Sequence, residues 1–382
     1  MGICDEATRR AAWWTGIIEP DDPYAHALRL ALGDERARRW AQAPEPGPLP
    51  DSLTGPGRDW AGAWARWHPR CSGWDVDAEL EGAERRGIRV VARDDPEWPE
   101  ALDLLGAHAP AALWVRGRIP RRPSVSIVGA RAATQAGIRT ARDLAFELSD
   151  RGRVVVSGGA FGIDIAAHRG ALDAGAPTVA VMAGGLANPY PKAHVDDFTR
   201  IVDSGGALVS EVPPSWRPAA WRFLGRNRVI AAWGAGTVVV EAGERSGALA
   251  TARRALDLGR PVGAVPGPLS SHASKGCHAL MRNGAELIRD ADDVVEMIDP
   301  IGAGAQGALF SSPVEEDHGA HALEAGQRRV WEALPVRARA GLSALARSSG
   351  LSEREVLVAL AGLELAGWVV SDSSGWRRRR VA

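Results

Sequence analysis

Between residues 88 and 265 the chain repeats one alternation: a short apolar, β-branched run, a glycine or polar break, then apolar residues at helical spacing. The runs are IRVVA, ALWVRG, SVSIVGA, RVVVSGGA, TVAVMAGG, ALVSEV, TVVVEAG and PVGAVPG. Among the intervening stretches, TQAGIRTARDLAFELSDRG puts Ile138, Ala141, Leu144, Ala145 and Leu148 on one helical face. Unbroken apolar strands alternating with amphipathic helices call for a parallel sheet covered on both faces. The predicted fold class is therefore α/β, with this sheet domain spanning residues 81–298.

The flanks read differently. Residues 1–80 form short helices interrupted by Pro and Gly, as in PEPGPLP. Residues 299–322, rich in Gly, Ala, Ser and Pro, read as a linker. Residues 323–382 then give three helices, LEAGQRRVWEAL, GLSALARSSG and SEREVLVALAGLELAG, followed by a hairpin in WVVSDSSGWRRRR. Ser352 and Glu355 fit a capping box for the third helix. Three helices and a hairpin make a winged-helix pattern. Val356, Leu360, Leu363 and Leu365 are assigned to its core. The outer face of Glu353, Arg354, Glu355 and Glu364 is too acidic for a major-groove reader. DNA contact by this module would come from Arg377, Arg378, Arg379 and Arg380, without sequence specificity.

Charge narrows the partner. The net charge is −1, but residues 121–230 carry 14 basic and 9 acidic residues and residues 323–382 carry 10 and 6, alternating with acidic segments at 1–120 and 231–322. Such an alternation points to an anionic partner. Cys4, Cys71 and Cys277 are too scattered for a disulfide framework or a zinc site. His272, Cys277 and His278 make no metal set. The N-terminus lacks an apolar signal region, Glu6 replaces the Ser or Thr of a myristoylation site, and no run spans a bilayer. The expectation is a cytoplasmic protein without membrane insertion.

Four loops carry the candidate chemistry. VVVSGGAFGIDIAAH (residues 154–168) is a strand, a glycine turn and a helix, the arrangement that holds an anion at a helix N-terminus. A dinucleotide fingerprint would need Gly in place of Ser157 and an acid closing the next strand, which ends in Gly-Gly and Asn. No cofactor is expected, and an anion is preferred over a purely structural turn at Gly158, Gly159 and Gly162. In the preceding turn, IVGARAATQAG, Gly129 permits the bend, Arg131 projects and Thr134 caps the helix. Arg226, Asn227 and Arg228 sit at what reads as a helix start. Two readings stay open there: relief of their charge by an anion, or salt bridges to Glu211 or Glu241. Ser246 opens a further helix and is read first as its N-cap and second as a phosphate ligand in the DNA-binding set. Asp164 and His168, four apart, are read as a structural hydrogen-bonded pair.

Taken together these motifs resemble the DNA-processing protein A family (DprA, also called Smf). The match runs from SIVGARAAT through VVVSGGAFGIDIAAHRGAL, TVAVMAGGLANPYP, LVSEVPP and FLGRNRVIAA to VVVEAGERSGALATARRALDLGRPVGAVPGPLSSHASKGCHALMRNGAELI, with DDPEWPEAL and APAALWVRG upstream. The resemblance implies an extended Rossmann domain, an N-terminal helical domain of the sterile-alpha-motif or helix-hairpin-helix kind, and a C-terminal winged-helix domain. It implies a homodimer that is not an enzyme, binds single-stranded DNA, and helps load RecA recombinase in place of single-strand-binding protein during natural transformation. Carried over by position, Arg131, the loop of Ser157, Gly158, Gly159, Phe161 and Gly162, and the Arg226, Asn227 and Arg228 signature would contact DNA. Where the family often has a DNA-binding Lys after YP, this chain has Asp196 nearby, and Lys192 is the candidate substitute. The alternative is a Rossmann-type enzyme cleaving nucleoside monophosphates; WGAGTVVVEAG keeps Gly236, Thr237 and an acid, but lacks the Pro-Gly-Gly of those enzymes.

Overall fold

In the computed structural model, the described residues are 5–299, 325–334, 339–366, 368–372 and 375–378. All but the first residue of the expected linker, together with Cys4, Arg379 and Arg380, lie outside them. The chain divides into two compact units, Met1–Ile301 and Gly302–Ala382.

The first unit is organised by a nine-stranded sheet of order β1-β2-β6-β5-β4-β3-β7-β8-β9. The strands are β1 (Ile88–Val91), β2 (Leu113–Gly117), β3 (Ser124–Val128), β4 (Val154–Ser157), β5 (Thr178–Met182), β6 (Ala207–Ser210), β7 (Thr237–Val239), β8 (Val262–Ala264) and β9 (Glu286–Leu287). From β6 across to β9 every neighbouring pair is parallel. The β1–β2 and β2–β6 pairs are antiparallel, which corrects the wholly parallel expectation. β1 and β2 enter before the first crossover helix, so no βαβ unit dictates their direction.

Alternation along the strands supplies the two faces. Val125, Ile127, Val155, Val238 and Val240 pack against helices on one side. Val128, Val154, Val156 and Val239 pack on the other. Helices α1 (Glu6–Ile17), α2 (Pro23–Leu32), α3 (Asp34–Gln42), α4 (Trp60–Cys71) and α5 (Val76–Glu84) form the N-terminal bundle. Its tryptophans share one core with Trp114, Ala180, Met182 and Leu208 of the sheet. Beyond β3 come α6 (Gln135–Asp150), α7 (Ile163–Asp173), α8 (Val195–Asp203), α9 (Ala220–Trp233), α10 (Gly247–Asp257), α11 (Lys275–Arg282) and α12 (Ala291–Ile298). Ala141, Leu144, Ala145 and Leu148 of α6 are buried as its spacing predicts.

The second unit has helices Ala325–Ala333, Leu342–Ser349 and Glu353–Leu365 and an antiparallel hairpin, Val369–Asp372 with Gly375–Arg378. The Ser352–Glu355 capping box is present. Val356, Leu360 and Leu363 are buried, but Leu365 is 91% exposed, which corrects its core assignment. It stands at the last position of its helix, where few neighbours remain to cover it.

Candidate nucleic-acid interface

After β3 the chain steps outward through β4, β5 and β6, then returns to place β7 on the other flank of β3. That reversal leaves a crevice at the carboxyl ends of β3 and β7, the usual ligand position in such sheets. A cleft of about 850 Å³ opens there, lined among others by Arg131, Asp164, Phe223, Arg226, Asn227 and Arg245. A narrow groove adjoins it, lined by Arg131, Gly158, Phe161, Tyr190, Pro191 and Phe223. Arg131 and Phe223 belong to both.

The two glycine turns interlock. A Cβ at Gly129 would collide with Ile163, one at Gly158 with the Arg226 guanidinium, and one at Gly162 with the Ala130 carbonyl. Gly159 and Gly162 also have φ of 64° and 78°, where a side chain is strained. The glycines thus serve close approach of loop to loop. Ser157 is wholly buried and its hydroxyl donates to the Ile127 carbonyl (2.6 Å), so it faces the sheet and not the cleft.

The first anion in this cradle is the protein's own. The Asp164 carboxylate is buried at the start of α7, and the backbone N–H groups of Ala160 and Gly129 and the Arg226 charge favour its ionised form. Burial raises its pKa, against the opposing pull of the Arg226 charge and those N–H groups. Burial likewise pushes Arg226 down to about 10. Arg226 donates to the carbonyls of Gly158 (2.9 Å) and Val181, tying the loop after β4 to the end of β5. Asp164 and His168 are not hydrogen-bonded to each other, contrary to expectation. Asp164 turns toward the loop N–H groups at the start of α7, while the His168 ring meets Thr178 Oγ1 at 2.8 Å across the sheet.

Arg226, Asn227 and Arg228 lie in the middle of α9, which begins at Ala220. They are therefore not at a helix start, and the dipole argument for an anion does not apply. Arg228 is sealed from the cleft at 1% exposure. Its guanidinium bonds Glu211 (2.7 Å) and the carbonyls of His108 (2.7 Å) and Gly225 (2.8 Å). Of the two readings left open, the salt bridge to Glu211 is the one formed. Glu241 is engaged elsewhere: its carboxylate takes the Thr134 N–H (2.9 Å) and hydroxyl (2.5 Å). Thr134 caps α6 and Ser246 caps α10, as predicted from their positions.

The exposed cations and rings gather at one edge. Arg131 is exposed and lies 4.8 Å over the Phe223 ring. Phe161 and Tyr190 are about half exposed (46% and 48%). Phe161 rests edge-on against His194, whose Nδ1 meets the Gly159 carbonyl at 3.1 Å. Lys192 is exposed on the turn after the cis Tyr190–Pro191 bond, outside the main cleft. Sequence reasoning missed Tyr190, Phe223 and Arg245. All three stand within quoted motifs, TVAVMAGGLANPYP, FLGRNRVIAA and the run from VVVEAGERSGAL, but nothing local indicates that the rings of Tyr190 and Phe223 meet.

Comparison with known proteins is consistent across sequence and structure. Residues 89–299 match the family model for DNA recombination-mediator protein A. A Mycobacterium tuberculosis protein, provisionally named DNA processing protein DprA, is 46% identical over 79% of this chain and 80% of its own. Protein Smf of Escherichia coli is 34% identical over 80% and 82%. The crystal structure of DNA processing protein A from Streptococcus pneumoniae superposes with a TM-score of 0.58 at 30% identity, covering 75% of this chain and 95% of that one.

Proposed function

The chain belongs to the DNA recombination-mediator protein A family, and from that premise we propose that it binds and protects single-stranded DNA and helps load RecA recombinase onto it. The observation that carries this reading is Arg131, an exposed cation over Phe223 at the junction of cleft and groove, with Phe161 and Tyr190 beside it. A single strand offers flexible phosphates and open base faces, and is held by cations that track its backbone and rings on which its bases stack. Arg131, Arg245 and Lys192 supply the first, and Phe161, Tyr190 and Phe223 the second. Gly129, Gly158, Gly159 and Gly162 shape the cradle, and Arg226 and Asp164 hold it from beneath. None of these groups reads a base edge, so binding is independent of sequence.

The protein acts by binding rather than turnover. Glu241, the acid that a nucleotide-cleaving reading would require, already has both carboxylate oxygens engaged by Thr134. Single-stranded DNA will bind more tightly than duplex in a gel shift, and affinity will fall steeply with salt. Arg131→Ala will weaken binding and reduce the salt slope by about one unit, the loss of one phosphate contact. Deleting residues 320–382 will leave most of that affinity. Equal affinity for duplex and single strand, or an unchanged slope in a folded Arg131→Ala variant, would reject this assignment.

The partner part of the proposal rests on family membership: a homodimer that helps RecA displace single-strand-binding protein. Light scattering at micromolar concentration should give twice the chain mass, and the protein should speed RecA filament growth on covered strands. A monomer with no effect on filament growth would remove it.

A further inference from the structure

The connection between α1 and α2 carries a feature that the cleft does not need for its own chemistry. Asp21 is the single non-glycine residue with positive φ among the described residues, at 71°. Left-handed backbone is unfavourable for a residue with a side chain and persists where the surroundings over-determine it. What surrounds Asp21 is α9 and its supports. Its carboxylate meets Arg254 Nη2 at 2.8 Å, His108 Nδ1 at 2.7 Å and Arg228 Nε at 3.5 Å. Two residues earlier, the Glu19 carboxylate accepts from Arg222 (2.8 and 3.0 Å), from Trp221 Nε1 (3.1 Å) and from Arg70 (2.6 Å). Pro20, between them, lies so close to Gly225 that a Cβ there would approach within 2.9 Å. Trp216 closes the cluster beneath Arg222 and Arg70, at 4.4 and 5.0 Å.

Apart from Arg70 on α4, these contacts land on α9 or on residues packed against it, and most of those on α9 fall in its first half. That half carries Phe223 on one turn and Arg226 on the next, which form one wall of the cleft. No side chain caps its N-terminus, and it contains Gly225, so the segment has little helical preference of its own. Burial alone would raise the Glu19 carboxyl, but the Arg222 hydrogen bond and charge, with Arg70, hold it below the usual carboxylate range. The ion pairs are therefore formed at neutral pH.

The geometry points to Glu19, Pro20 and Asp21 as an acidic clip that sets α9, and so acts as a positioning element for the nucleic-acid cleft from within the N-terminal helical bundle. Glu19 and Asp21 touch no cleft atom that would meet a strand; they act through Arg222, Arg228 and Gly225. The inference rests on the single-strand reading for its affinity arm alone.

The sign of the effect separates this role from simple electrostatics. Removing two carboxylates near a basic cleft should strengthen binding of a polyanion. If the clip positions α9, neutralising it should weaken binding instead. The test compares the full chain with Glu19→Gln/Asp21→Asn, using single-strand affinity together with amide hydrogen exchange in the absence of DNA. Peptides covering residues 217–233 should exchange faster by about 5- to 30-fold, the effect of losing one or two kcal/mol of local stability. Peptides of α6 should be unchanged, and affinity should fall by about 5-fold. Asp21→Gly, which accepts the backbone angle but lacks the carboxylate, should reproduce the effect. Should the double variant fail to fold, Glu19→Gln alone carries the same exchange comparison. Unchanged exchange at 217–233, exchange raised equally in α6, or affinity that is unchanged or tighter would overturn the clip. Wild-type protein that does not bind single strands would reject the functional reading, while the exchange comparison would still decide the clip.

Discussion

Arg226→Ala will lower the unfolding free energy by about 2–6 kcal/mol, about 1–3 for each of the two buried carbonyls that lose a donor. The guanidinium is 6% exposed, its charge faces Asp164, and it is a donor to the carbonyls of Gly158 and Val181. Alanine leaves a buried carboxylate without its counter-charge and two carbonyls short of a donor. The glycine turn that Arg226 ties to β5 will loosen with it, so single-strand affinity should fall as well. Asp164→Asn in the same background should recover part of the stability, since an amide oxygen can still accept from Gly129 and Ala160 without burying a charge. Urea titrations of the two single variants and the double variant measure this coupling directly. A loss below about 1 kcal/mol in Arg226→Ala would mean that the pair contributes no more than an exposed one.

The second large effect is a pH dependence rooted at His168. The ring is fully buried, its Nδ1 meets Thr178, and its Nε2 has no hydrogen-bond partner among the described residues. Burial pushes its pKa down to about 3; the Asp197 charge opposes this, and Arg226 and His194 add to it. In the unfolded chain the imidazole takes up its proton near 6.5, whereas the native protein resists until about 3. Between those values the unfolded state binds more protons, so stability is lost as pH falls through the window. From pH 8 to pH 5 the loss from this residue is about 2 kcal/mol, or 1.36 kcal/mol for each of about 1.5 pH units. Asp164, whose pKa burial raises, contributes the opposite slope, since its stability is lost as pH rises. Comparing wild type with His168→Gln by urea titration at both pH values isolates the histidine. The difference between pH 8 and pH 5 should shrink by about 2 kcal/mol in the variant; an unaltered difference would place the titration elsewhere.

What could be read in the sequence follows from where the controlling interactions lie. The eight apolar runs all became strands, because a strand buried on both faces has to be apolar throughout. β9 escaped notice: it is two residues long and both are exposed. The direction of β1 and β2 was illegible because side-chain alternation is the same in either orientation. Local hydrogen bonds were readable, as at Thr134, Ser246 and Ser352, since a cap needs only residues two or three apart. Long-range pairing was not. Nothing near Asp164 indicates Arg226, and nothing near Arg228 selects Glu211 over Glu241. Gly225 and the absence of a cap hid the first turns of α9, which made a mid-helix Arg-Asn-Arg look like a helix start. The cleft was legible as a set of loops at one sheet edge, whereas its aromatic groove depended on rings brought together from distant segments.

The carboxylate of Asp164 also bears on competition from the soluble nucleotide pool. The backbone N–H groups of Gly129 and Ala160, which a pyrophosphate would seek, already act on the Asp164 carboxylate, a group that cannot leave. A tethered group acts at an effective concentration of about millimolar or above, so a free mononucleotide or dinucleotide must displace it before gaining those hydrogen bonds. A single strand bound as proposed above would face no such contest, because its phosphates would engage Arg131 and its neighbours at the rim and its affinity would sum over several contacts. With Asp164 already in the glycine cradle, that mode of binding would select for chain length over nucleotide identity.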